Sequence, residues 1–119
     1  MKTITEIGQA AKSASYKLAV ATTEQKNKAL LNMADLLEKY YDDIMEANTL
    51  DMANAMAKDK PKAFLDRLML TEARIKGMAK GLRDLVELPD PIGNIDNTWT
   101  GAQGIEITKI RVPLGVIGI

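Results

Sequence analysis

The chain has 119 residues, 46% of them hydrophobic and 27% charged, which suits one small globular domain. Its 16 basic and 16 acidic residues cancel, and neither half is strongly charged, so a nucleic-acid-binding arm and an acidic tail are both excluded. The sequence has no Cys and no His, which excludes disulfides, thiolate nucleophiles, Cys/His zinc sites and imidazole catalysis within these residues. No segment resembles a signal peptide or a membrane span, so we expect no membrane partner.

The first two predicted elements are amphipathic helices, each beginning with the spacing of a capping box. The first runs from Thr3 to about Ala21, with Glu6 three residues after Thr3, and its stripe is Ile4, Ile7, Ala11, Ala14, Leu18 and Ala21. The second begins near Thr22, with Gln25 in the matching position. Its predicted inward residues are Leu30, Met33, Ala34, Leu37, Tyr40 and Tyr41.

Two further helices are predicted on either side of a polar connector. A break near Tyr40–Asp42 starts a third helix, which runs to about Lys58 with Ile44, Ala47, Leu50 and Ala55 inward. After the connector KDKPK (58–62), Pro61 opens a short turn. Thr71 then caps a helix that runs to Leu88, and its predicted buried stripe is Ile75, Met78, Ala79, Leu82, Leu85 and Val86. The prolines and glycine of LPDPIG (88–93) end this helix.

The last quarter of the chain has the pattern of strands. NIDNTWT, GAQG and IEITKIRV predict a hairpin, with Ile105, Ile107 and Lys109 on one face and Glu106, Thr108 and Ile110 on the other. After Pro113 the apolar run Val116–Ile119 predicts the start of a buried strand. The predicted fold is therefore mostly α-helical, with about four helices, a C-terminal β-hairpin and one strand of a further sheet.

Two groups of charged residues are candidate binding sites. Lys76, Lys80 and Arg83 lie on one helix face and could hold a phosphate, but interleaved acidic residues favour a solvated face. Asp42, Asp43 and Glu46 could suggest a Mg²⁺ or acid–base site, but carboxylates in a first helical turn are typical of compensation of the helix dipole.

Three other residues suggest binding only weakly. Gly115 and Gly118 form a G-x-x-G pair, but they lie within the predicted strand rather than between a strand and a helix, as dinucleotide binding requires. Trp99 could anchor an interface, although packing on its own domain is favoured. From the residues alone we assign no catalytic, cofactor-binding or metal-binding residue.

Several segments resemble one enzyme family in their amino-acid sequence and in their order along the chain. ITEIGQAAKSASYKLA and TEQKNKALLNMADLLE are similar to the N-terminal helices of the gamma-glutamyl phosphate reductases, also called glutamate-5-semialdehyde dehydrogenases. FLDRLMLTEARIKGMAKGLRDLVELPDPIG (64–93) strengthens the resemblance. RVPLGVIGI (111–119) resembles the segment that enters the family's cofactor-binding domain, and it is shared in looser form with aldehyde dehydrogenases.

The resemblance implies an NADPH-dependent oxidoreductase of L-proline biosynthesis. Such an enzyme reduces L-glutamate 5-phosphate to L-glutamate 5-semialdehyde and phosphate, through a thioester on a cysteine thiolate. The implied parent is a cytoplasmic α/β protein with an aldehyde dehydrogenase-like fold, and it oligomerises through a projecting strand pair. Its catalytic Cys and nearly all its cofactor contacts have no counterpart in these 119 residues, so we expect the chain alone to be inactive.

The same resemblance divides the chain into three parts. Residues 1–93 match the N-terminal helices of the cofactor-binding domain, residues 94–112 the projecting hairpin, and residues 113–119 the start of a Rossmann-type sheet. The alternative function is a non-catalytic helical module that binds a protein partner through apolar grooves or by strand addition to the hairpin. A nucleotide-binding protein that uses Gly115 and Gly118 is a third hypothesis.

Overall fold

The computed structural model describes residues 2–119, so Met1, part of the predicted range 1–93, lies outside the described residues. These residues form five α-helices and a two-stranded antiparallel sheet: α1 (Ile4–Ala19), α2 (Thr23–Lys39), α3 (Tyr41–Ala57), α4 (Lys62–Leu68), α5 (Glu72–Val86), β1 (Ile95–Thr100) and β2 (Glu106–Ile110). The chain divides into two units. The first comprises the residues up to Gln25 together with Pro89–Ile119, and the second comprises Lys26–Leu88.

Both predicted capping boxes are present at the starts of α1 and α2. The Thr3 hydroxyl accepts from the Glu6 N–H at 3.2 Å, and the Glu6 carboxylate accepts from the Thr3 N–H at 2.7 Å. Thr22 and Gln25 make the same reciprocal pair at 3.1 and 2.9 Å. Each box satisfies two backbone donors that a helix N-terminus leaves free, so the local sequence determines where these helices begin.

The cap of α2 gives a testable prediction. Thr22→Ala should lower the free energy of unfolding by about 1 kcal/mol, because the Gln25 N–H loses its acceptor. Thr49→Ala is the matched control, since the Thr49 hydroxyl donates to the Met45 carbonyl within α3, a bond that adds little to helix stability. Urea denaturation followed by circular dichroism measures both. Equal losses in the two variants would contradict the assigned role of the cap.

The buried core of the described residues lies in the second unit. It consists of Ala34, Ala55, Ile75 and Ala79, each no more than 6% exposed, as the sequence predicted. Other predicted inward residues are half-buried, among them Leu30, Leu37, Tyr41, Ile44, Leu82 and Val86. Because three of the four core side chains are methyl groups, helix backbones must come close together to bury them.

Several residues of the predicted stripes are not buried. Met33 is 52% exposed, Leu50 64%, Met78 42% and Leu85 49%, and Ala47 is also exposed. The prediction that these residues face inward is therefore wrong for this structure. An apolar stripe shows which face of a helix avoids water, but it does not show whether another element covers the whole face.

The helices of the second unit differ from the prediction in number and at the end of α5, which stops at Val86 rather than Leu88. The predicted break near Tyr40–Asp42 is confirmed, since α2 ends at Lys39 and α3 begins at Tyr41. The segment after Pro61, predicted as a short turn, is instead the seven-residue helix α4. Pro61 occupies the position before its first residue with φ −56°, and the fixed φ of proline suits a helix start. The helix count is therefore five rather than about four.

The hairpin of the first unit has the predicted alternation. Trp99 pairs with Ile107 on one face, and Thr98 pairs with Thr108 on the other, with a register shift between Ile95 and Asn97. The turn contains Gln103 at φ +59° and Gly104 at φ +81°. Left-handed backbone of this kind reverses the chain, and it is easiest at glycine.

The hairpin is also held together at its open end. The Gly93 N–H donates to the Arg111 carbonyl, and the Arg111 N–H donates to the Asn94 carbonyl, both at 2.9 Å. The Arg111 side chain donates to the Asp96 carboxylate at 2.7 Å.

The predicted terminal strand Val116–Ile119 is not formed. Residues 111–119 have no regular secondary structure, and Ile117 is 64% exposed. A strand exists only when neighbouring strands pair with its backbone, and the one sheet of residues 2–119 contains β1 and β2 alone. Within the described range, no helix is long and apolar enough to cross a membrane.

Candidate functional site

The row of cations on α5 does not form a phosphate site. The Lys76 ammonium lies 2.6 Å from the Glu72 carboxylate, and the Lys80 ammonium lies 2.6 Å from that of Asp84. Arg83 is paired with two carboxylates of α2. Each cation already has an anionic partner, which agrees with the interpretation of this row as a solvated helix face with interleaved acidic residues.

Arg83 joins α5 to α2 through a forked contact. Its two terminal nitrogens donate to both oxygens of Glu38 at 2.8 and 2.7 Å, and one of them also donates to Asp35 at 2.8 Å. The hydrogen bonds from Arg83 lower the pKa of Glu38. The bonds to Glu38 and Asp35 in turn raise the pKa of Arg83 well above its ordinary value. The contact fixes the rotation of one helix against the other, because bidentate pairing is directional.

This contact predicts a pH-dependent stability. A carboxyl whose pKa is lowered on folding stabilises the folded state above its unfolded pKa, and the effect is lost as the pH falls through the folded pKa. The stabilisation from Glu38 should therefore be present above about pH 4.5 and be lost as the pH falls below that value. We expect the melting temperature of Arg83→Met to lie below that of the unsubstituted 119-residue chain at neutral pH. The difference should shrink as the pH falls below 4.5.

Melting temperatures of the parent chain and two variants, measured across this pH range, test the prediction. Lys80→Met is the matched control, because Lys80 pairs with Asp84 within one helix and joins no second element. High salt should reduce the effect of Arg83→Met, since the pair is partly solvent-exposed. A difference between Arg83→Met and the parent that is independent of pH would contradict the role given to Glu38.

The acidic residues near the start of α3 do not converge. Asp42 and Asp43 lie in its first turn and Glu46 follows in the next. Among residues 2–119, no group of three or more acidic side chains is arranged to hold a metal ion. The two aspartates lie where negative charge opposes the positive end of the helix dipole, as the sequence indicated.

The glycine pair at 115 and 118 does not form a dinucleotide cradle. Gly115 has φ +91°, a conformation that favours glycine, but residues 111–119 are neither strand nor helix. Pyrophosphate binding requires a strand that turns into a helix whose first N–H groups point at the ligand. The described residues therefore do not fit a nicotinamide dinucleotide by themselves.

Trp99 lies on an uncovered face of the hairpin. It remains 45% exposed and pairs across the strands with Ile107, which is 39% exposed. The prediction that Trp99 packs on its own domain is therefore wrong. All six residues of β1 are exposed, and no second layer covers the hairpin in the described part of this unit. Apolar faces of this kind are typical of interaction surfaces.

Two apolar grooves of the first unit lie beside α1. One, of about 880 Å³, is lined mainly by small and aliphatic residues, including Ala11, Ala14, Leu18 and Val116. A second, of about 630 Å³, includes Ile92, Leu114 and Ile117, together with the paired Asp96 and Arg111. Such a lining suits an apolar protein surface. The Ser15 hydroxyl, which lines both grooves, donates to the Lys12 carbonyl at 2.7 Å, so it is not paired with a general base as an activated nucleophile would be.

Asn48 is a buried polar residue that the sequence reasoning missed. It is 6% exposed, and its amide donates to the Leu68 carbonyl at 2.9 Å and accepts from the Leu70 N–H at 2.8 Å. The two bonds tie the end of α4 and the link to α5 onto α3. Its position four residues after Ile44, on the inward face of α3, is the signal that could have identified it.

The chain is similar in sequence to several proteins named gamma-glutamyl phosphate reductase. It is 51% identical over 112 residues to a gamma-glutamyl phosphate reductase of Clostridium beijerinckii, covering 94% of this chain and 27% of the relative. It is 47% identical over 119 residues to that of Lactiplantibacillus plantarum, covering 100% of this chain and 28% of the relative. The chain thus spans about a quarter of the length of the curated relatives it matches. No family model matches it.

Solved structures agree with these relatives. The crystal structure of gamma-glutamyl phosphate reductase from Thermotoga maritima matches with a TM-score of 0.86 at 32% identity, over 94% of this chain and 27% of that one. The reductase from Saccharomyces cerevisiae matches with a TM-score of 0.85 at 25% identity, over 95% and 29%. The predicted resemblance is confirmed: over nearly its whole length, the chain is similar to the N-terminal portion of gamma-glutamyl phosphate reductases.

Proposed function

We propose that these residues form the N-terminal part of an enzyme that reduces L-glutamate 5-phosphate to L-glutamate 5-semialdehyde and phosphate with NADPH, in L-proline biosynthesis. One observation carries the proposal: similarity to named gamma-glutamyl phosphate reductases over nearly the whole chain, at 51% identity in one case. The matching fold of solved reductases supports it. The reaction itself, its substrate and its cytoplasmic location are inferred from that similarity.

In this proposal the chain contributes structure, and other residues of the enzyme contribute the chemistry. The 119 residues contain no Cys, so the thiolate that attacks the acyl phosphate must lie elsewhere. The described residues form no cofactor cradle, so we assign them no contact with NADPH. Their role is to present helices and a hairpin whose apolar faces pack against the rest of a longer polypeptide.

We further propose the division of the chain that the resemblance implied. Residues 1–93 would flank an aldehyde dehydrogenase-like cofactor domain, residues 94–112 would project as an oligomerisation hairpin, and residues 113–119 would enter a Rossmann-type sheet. The exposed pair of Trp99 and Ile107 supports the hairpin assignment, because an uncovered apolar face suits contact with another protein surface. Pairing of Val116–Ile119 with other strands would provide the ladder that this segment lacks here.

A chimera tests the proposed function. The chain would replace the matching segment of the Clostridium beijerinckii reductase, to which it is 51% identical. We expect the purified chimera to reduce NADP⁺ when supplied with L-glutamate 5-semialdehyde and phosphate, the reverse of the proposed reaction. It should also support growth, without added proline, of a bacterial strain that lacks its own reductase.

Two controls make the outcome interpretable. The unaltered Clostridium reductase sets the full rate, and the 119-residue chain alone should show no turnover, because it contains no Cys. Circular dichroism and gel filtration establish whether the chimera folds and assembles like the unaltered enzyme. A chimera that folds and assembles normally but shows no turnover would count against the proposal.

The second candidate function is a helical protein-interaction module, and the apolar grooves beside α1 favour it. Leu18 lies in both grooves, whereas the exposed Gln9 of the same helix lies in neither. In the chimera, Leu18→Asp should abolish activity and Gln9→Asp should preserve it if α1 packs inside the enzyme. Full activity of both variants would show that the groove is not packed inside the enzyme and is free for another protein.

A further inference from the structure

We draw no further inference here: the strongest candidate, the apolar groove between α1 and residues 113–117, carries nothing because the structure of residues 2–119 does not show what covers it.

Discussion

Replacing Asn48 by alanine is expected to destabilise the second unit by about 2–3 kcal/mol. The substitution removes both hydrogen bonds of a side chain that is 6% exposed, one to the Leu68 carbonyl and one from the Leu70 N–H. The Leu68 carbonyl and the Leu70 N–H then stay near the core without a partner. The free-energy cost of an unpaired buried group is larger than the net stabilisation that one hydrogen bond gives. The loss should appear as a lower midpoint in urea denaturation.

Amide hydrogen exchange gives a local measurement of the same effect. The Leu70 N–H should exchange much faster in Asn48→Ala, because its acceptor is gone. Asn54→Ala is the matched control, since Asn54 lies in the same helix with an exposed side chain. It should change stability by less than about 0.5 kcal/mol. Unchanged protection of Leu70 in Asn48→Ala would show that the amide does not hold this link.

An isosteric variant separates the lost hydrogen bond from the lost volume. Asn48→Asp keeps the shape and the acceptor for the Leu70 N–H, but a carboxylate has no proton to donate to the Leu68 carbonyl. At neutral pH it also places a charge in a buried position. We therefore expect Asn48→Asp to destabilise at least as much as Asn48→Ala, and to recover stability as the pH falls and the carboxyl gains a proton.

Replacing Ile75 by alanine is expected to cost about 3 kcal/mol, within the usual range for deleting a buried branched side chain. Ile75 is the one large side chain among the described residues that is almost completely buried, at 1% exposure. The other core residues are Ala34, Ala55 and Ala79. Methyl groups cannot extend into the space that Ile75 would leave, so the cavity should collapse poorly.

Leu85→Ala is the control for Ile75→Ala. Leu85 lies on the same helix but is 49% exposed, so its truncation should cost about 1 kcal/mol. Ile75→Val should also cost about 1 kcal/mol, because it removes a single methyl group. Chemical denaturation should show the largest loss for Ile75→Ala and smaller, similar losses for Leu85→Ala and Ile75→Val. Equal losses for Ile75→Ala and Leu85→Ala would contradict the position of the core.

The family was recognised from the sequence because its segments occur in order along nearly all 119 residues, and the relatives confirm that recognition. No catalytic site could be assigned from the sequence, because these residues contain no Cys or His and no other side chains in a catalytic pattern. The cations of α5 were correctly interpreted as a solvated face rather than a phosphate site, since acidic neighbours are close to them in sequence. The contact of Arg83 with Asp35 and Glu38 was not predicted, because it joins residues more than 40 positions apart.

The starts of α1 and α2, the break at Tyr40 and the alternation of the hairpin were determined by the sequence itself. Their causes are local. A cap satisfies N–H groups within three residues, and successive side chains of a strand point to opposite faces. Only the tertiary structure decided that Leu50 is exposed, that Asn48 is buried and that Val116–Ile119 forms no strand. Burial and strand pairing depend on elements distant in the chain, and local periodicity does not specify those elements.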